Sequence, residues 1–188
     1  MTLFSIQEII DIIIMTLAVG FIFKDMFRAP APQVYDPLRA IQSRKYDDFT
    51  FAIVVTAPAI ILHEFGHKFV ALAFGLHAVF HAAYTWLAIG VLLKLFMPGF
   101  IFFVPAYVAI QGFAGHIPHA LIAFAGPGVN LLLYLACKIA LKLQKVPSKY
   151  VKAVVLTQRI NGVLFLFNML PIPGFDGFQV YSQLFQAL

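Results

Sequence analysis

The sequence predicts an all-α polytopic membrane protein of about five transmembrane helices with a short strand-like or re-entrant insertion. Three observations carry that expectation. Of 188 residues, 62% are hydrophobic and only 11% are charged, whereas a soluble domain carries about 25% charged residues. Six of the eight acids, Glu8, Asp11, Asp25, Asp36, Asp47 and Asp48, precede residue 49, so only Glu64 and Asp176 occupy the rest of the chain. Apolar runs close to the about 20 residues a helix needs to cross a bilayer recur along the sequence. The same composition excludes a disordered chain, and the single cysteine, Cys137, excludes a disulfide scaffold.

The first run, residues 6–23, has Glu8 and Asp11 near its start. It lacks the basic leader and small-residue cleavage site of a secretory signal, so a retained span is expected. Residues 24–48 are polar, and Pro30, Pro32 and Pro37 favour an extended loop. A second span is expected over residues 49–74, kinked at Pro58 and ended by Gly75. Residues 82–97 are apolar but short for a span, and Pro98-Gly99 breaks the chain after them. Residues 100–110 are apolar and β-branched or aromatic, interrupted by Pro105. Such a strand or re-entrant segment is tolerated at membrane depth only when packed against protein. Further spans are expected over residues 119–143 and 150–169, the latter stopped by Pro171 and Pro173, with a short helix over 178–188. The expected division is a first span with its polar loop, residues 1–48, then a membrane core, residues 49–188.

The net charge is +5, with Lys and Arg concentrated in residues 24–45 and 138–152, as in loops that flank spans. No basic block is interleaved with aromatics, so nucleic acid is not an expected partner.

An ionisable group at membrane depth costs about 2.5–3.5 kcal/mol on insertion scales, so Glu64 and Asp176 need a reason to be there. His63-Glu64-Phe65-Gly66-His67 is an H-E-x-x-H motif within the second span. Helical residues four apart share a face one turn apart, so the two imidazoles can share one zinc ion. Glu64 then lies beside water at that metal and can take its proton. A catalytic zinc needs a third protein ligand and an open position. The downstream carboxylate is Asp176, in Pro171-Ile172-Pro173-Gly174-Phe175-Asp176-Gly177, where prolines and glycines interrupt helix and can bend the chain towards the metal. Asn130 and Asn168 suit either of two tasks, bonding an unwound substrate backbone or bridging helices. For His77, His81, His116 and His119, ordinary interfacial hydrogen bonds are expected, the alternative being a second metal site. Lys68 is expected to snorkel.

Three motifs together, His63–His67, Ala125-Gly126-Pro127-Gly128-Val129-Asn130 and the run from Asn168 to Gly177, resemble the three signatures of site-2 proteases. The resemblance covers roughly residues 49–180. It implies an intramembrane zinc metalloprotease that cuts transmembrane segments of substrate proteins. It also implies that His63, His67 and Asp176 bind zinc, that Glu64 is the general base, and that Asn130 and Asn168 contact substrate. The implied partners are a membrane-protein substrate and the lipid bilayer, and the expected location is a multi-pass protein of the cell membrane. The resemblance places the active site nearer the cytoplasm, whereas the positive-inside rule would put there the two basic loops, which lie opposite the His67 end of the second span.

Competing intramembrane proteases fail on counting. An aspartyl enzyme needs two membrane aspartates, and only Asp176 follows residue 48. None of the serines, Ser5, Ser43, Ser148 and Ser182, lies in a G-x-S-G context, and no Glu follows Glu64 to serve as a zinc ligand. The surviving alternative is a membrane metal-binding protein or transporter without protease activity. Glu64 argues against it, because a carrier needs no base.

Overall fold

The computed structural model describes residues 3–27, 45–97 and 104–188. Most of the expected polar loop and the start of the strand-like segment, residues 100–103, lie outside the described residues. In chain order the elements are α1 (Ile6–Phe23), α2 (Lys45–Ala73), β1 (His77–Ala82), α3 (Tyr84–Phe96), β2 (Ala106–Gln111), α4 (His116–Lys142), α5 (Val151–Asn168) and α6 (Asp176–Gln186). Among the described residues, α1, α2, α4 and α5 are long and apolar enough to cross a membrane. The fold is therefore a helical polytopic membrane protein with a small two-stranded sheet. The short apolar run at 82–97 becomes α3, whose 13 residues reach only about 20 Å at 1.5 Å per residue, less than the bilayer's about 30 Å.

Helix α4 is central and packs against α2, α5 and α6, while α1 packs against α2. Glycine permits the approach of α2 to α4. A Cβ on Gly66 would lie 2.7 Å from the Ala125 carbonyl oxygen, so the motif helix and α4 touch backbone to side-chain position. Helix α1 begins with a capping box: the Ser5 hydroxyl accepts from the Glu8 N–H at 3.2 Å, and Glu8 Oε2 accepts from the Ser5 N–H at 2.8 Å.

The strand-like expectation is met by β2. Its partner β1 is a further strand that the sequence reading does not foresee, and α3 is inserted between the two. Antiparallel pairing runs from His77 opposite Gln111 to Ala82 opposite Ala106. In the next pair the Ala83 N–H donates to the Pro105 carbonyl at 3.1 Å. Hydrogen-bonded and non-hydrogen-bonded pairs alternate in an antiparallel ladder. Ala82–Ala106, Phe80–Val108 and Ala78–Ile110 are thus non-hydrogen-bonded pairs, whose N–H and C=O groups turn away from the partner strand.

On the β1 side those groups meet α1. The Phe80 N–H donates to Glu8 Oε1 at 2.8 Å, and the Ala82 N–H donates to Asp11 Oδ2 at 3.2 Å. Asp11 also accepts from the Tyr84 hydroxyl, and from Gln7 Nε2 at 2.9 Å. Glu8 is paired with Lys68, which is only 1% exposed rather than snorkelling. The reason is the carboxylate that α1 brings against the last turns of α2; the Phe4 ring, 4.5 Å from Nζ, covers the pair.

Removing one partner of a buried ion pair typically costs about 3–5 kcal/mol, because the other charge stays buried and unpaired. Lys68→Met is expected to destabilise by about that much, and Glu8→Gln combined with Lys68→Met to recover most of it. Reversible unfolding in mixed micelles measures both, and an equal loss in single and double variants would contradict the pairing.

Candidate metal centre

His63 and His67 project from one face of α2 with their Nε2 atoms 3.1 Å apart. Asp176 opens α6 and brings Oδ2 to 3.1 Å from His63 Nε2 and 3.4 Å from His67 Nε2. All three ligand atoms lie within 4.8 Å of one another. The bend that delivers Asp176 uses Gly174, at φ +100°, and Gly177, where a Cβ would be 2.5 Å from the Met169 backbone.

Neighbouring carbonyls set which ring nitrogens carry protons. His67 Nδ1 lies 2.7 Å from the Ile122 carbonyl oxygen, which can only accept, so Nδ1 donates. His63 Nδ1 lies 2.6 Å from Asn130 Oδ1. The orientation of that amide is itself fixed, because Asn130 Nδ2 donates to the Ala59 carbonyl at 3.0 Å and to Asn161 Oδ1 at 2.9 Å. Asn161 Nδ2 in turn donates to the Thr157 carbonyl at 2.8 Å. Both Nε2 atoms therefore present lone pairs to each other and to a carboxylate oxygen. Such a cluster is repulsive without a cation between its members. Zinc held tetrahedrally by bonds of 2.0–2.1 Å has ligand–ligand edges of about 3.3 Å, which these separations match.

One further feature fits. A Cβ on Gly126 would run into His67 Nε2 and come within 2.7 Å of His63 Nε2. Only glycine at that position leaves the ligand face open.

Beside the ligands lies a cavity of about 880 Å³, lined by Glu64, Asn168, His119 and the β2 residues Ala106, Val108 and Ile110 among others. The sequence-chosen His63, Glu64, His67 and Asp176 are brought together here, and Asn168 lies on the cavity wall. Asn130 is placed behind His63, fully buried, with its amide engaged by His63, Ala59 and Asn161. It thus bridges α2, α4 and α5 instead of lining the cavity. Asn161 is absent from the sequence reading, although its signal, a third asparagine in an apolar span, was there to be used. His116 contacts Gln183 at 2.9 Å, His119 donates to the Gly115 carbonyl at 3.0 Å, and His81 is 3.6 Å from Asp11. None of them joins the ligand cluster among the described residues.

The chain is 33% identical over 178 residues to a Methanocaldococcus jannaschii protein named "Putative zinc metalloprotease MJ0611", covering 94% of this chain and 84% of that protein. It is 30% identical over 144 residues to the Mycobacterium tuberculosis protein named "Putative zinc metalloprotease Rip2", covering 69% of this chain and 55% of that longer relative. The chain belongs to the site-2 protease family. Metalloprotease is accordingly its class and zinc its metal, in agreement with the donor set. No family profile matches the chain, and no solved structure matches it.

Wild-type protein is expected to hold about one zinc per chain, and Asp176→Ala to lose it under mild chelation. Partners behind metal ligands typically contribute 10–100-fold in affinity, so Asn130→Ala is expected to weaken zinc binding by about that factor. Competition with a fluorescent chelator measures both. An unchanged affinity in Asn130→Ala would mean that His63 is oriented by something else.

Proposed function

We propose that the chain hydrolyses peptide bonds within or beside transmembrane segments of substrate proteins, with Glu64 as general base. The observation that carries this reading is a single cavity shared by Glu64, the three-ligand cluster and the outward edge of β2, built on helices long enough to span a membrane. The partners would be a membrane-protein substrate and the surrounding bilayer, and the setting the cell membrane. Residues 49–188 form the proteolytic core in this reading, because every ligand, the base and the open strand edge lie within them.

His63, His67 and Asp176 would hold the zinc, which when bound would supply a Lewis acid for the scissile carbonyl and for water. Glu64 takes the proton of the attacking water as its oxygen bonds to the carbonyl carbon. It then delivers that proton to the departing amine nitrogen as the C–N bond breaks. Asn168 would hydrogen-bond the substrate near that bond, a role that its position on the cavity wall supports. A carbonyl inside a helix is already bonded and shielded, so the substrate must first unwind. An unwound segment needs new partners in a medium that offers none. Ala106, Val108 and Ile110 turn their N–H and C=O groups towards the cavity and can supply them by strand addition.

Glu64→Gln is expected to keep zinc and to lower peptide hydrolysis by about 10²–10⁴-fold. Zinc binding by a wild type that hydrolyses no peptide would favour the carrier reading instead. Val108→Pro deletes one outward N–H from β2 while leaving the β1 ladder intact, and should reduce cleavage without removing zinc. Unchanged cleavage in that variant would sink the strand-addition step.

A further inference from the structure

We propose that Glu8 and Asp11 are positioning residues for substrate: from α1 they fasten the outer edge of β1, and so hold β2 with its open edge along the cavity for an extended apolar peptide. The inference rests on the strand-addition reading above and adds what makes that edge available. Both carboxylates are buried in a helix long and apolar enough to span a membrane, at 3% and 1% exposure, where an acid is costly. Neither belongs to the ligand cluster.

Their bonds match a strand edge in spacing. Glu8 and Asp11 are three residues apart on one face of α1 and differ by about 4.5 Å in rise. They accept from Phe80 and Ala82, alternate residues of β1, about 6.7 Å apart along a strand. Side-chain reach covers the difference. The fastening has a purpose because a two-stranded hairpin is marginal alone. Here no tight turn fixes the pairing either, since α3 and the chain around it separate the strands.

The same contacts select which edge a peptide can use. A carboxylate accepts and never donates, so the outward N–H groups of β1 at Phe80 and Ala82 are taken and cannot bond an incoming chain. Ala106, Val108 and Ile110 remain, on the side of the sheet that faces the metal ligands. An extended peptide is thereby admitted on one side of the sheet only, within reach of Glu64.

The test compares two zinc-binding probes on the full-length protein in detergent: acetohydroxamate, which reaches only the metal, and a tri-leucyl hydroxamate, which also extends along β2. Asp11→Leu removes the acceptor for Ala82. It is expected to weaken the tri-leucyl probe about tenfold and to leave acetohydroxamate affinity and zinc content unchanged. Asp11→Asn, which keeps an acceptor oxygen, is expected to restore the wild-type ratio. Hydrogen exchange supplies a readout independent of the metal: the Ala82 amide should exchange faster in Asp11→Leu and not in Asp11→Asn. Ala82→Pro deletes the donated N–H from the other partner without touching the ladder, and carries the same expectation should Asp11→Leu not fold. A wild-type probe ratio in both Asp11→Leu and Ala82→Pro overturns the inference. Loss of zinc by both overturns it too, because α1 would then be structural. If Val108→Pro fails to weaken the tri-leucyl probe, strand addition itself is wrong, which separates that failure from this one.

Discussion

A backbone N–H or C=O group finds no partner in lipid, and this constraint orders the whole chain. Helices meet it internally, but a sheet of two strands cannot, since each strand has an outer edge. This protein treats its two edges differently. One has its Phe80 and Ala82 N–H groups taken by the carboxylates of Glu8 and Asp11, and the other borders the cavity that holds the metal ligands. Acids that would be out of place in a spanning helix thus belong to the strand more than to the helix that carries them. Lys68 follows from them, because a carboxylate held in a buried position needs a cation.

The metal centre depends on the same economy of space at a smaller scale. Two histidines on a helix are brought to a common point by groups on other helices: Ile122 and Asn130 on α4, with Asn161 on α5 fixing the asparagine. Each of these must sit close to α2, and the close approach is secured by residues that lack a side chain. Gly66 admits the α4 backbone and Gly126 leaves room for both imidazoles. The chemistry-bearing atoms are few, but their placement is set by contacts among three helices.

What could be read from the sequence follows from how local the information is. The His63–His67 pair was legible because helical geometry alone puts residues four apart together. Asp176 was legible for a different reason: in a chain with so few acids, elimination did what geometry could not. Strand β1 escaped notice, since six residues between two helices carry little periodic signal and its pairing partner lies beyond an intervening helix. The burial of Lys68 was equally hidden, because its carboxylate lies 60 residues away. Asn130 shows a subtler limit. Its residue type fits a substrate contact and a helix bridge equally well, and only the position of its neighbours says which groups it holds.

The distance along the chain between Glu8 and Lys68 also bears on how such a protein is made. Helix α1 entering a bilayer alone carries two acids near its start, and α2 entering alone carries a lysine near its end, each an unpaired charge that is costly at membrane depth. Side by side, Glu8 and Lys68 neutralise one another, and both acids find N–H groups of β1. The usual picture has helices insert separately and associate afterwards. Here the acids of the first helix have their partners only once the second helix and β1 are in place, so insertion and assembly are coupled for this part of the chain.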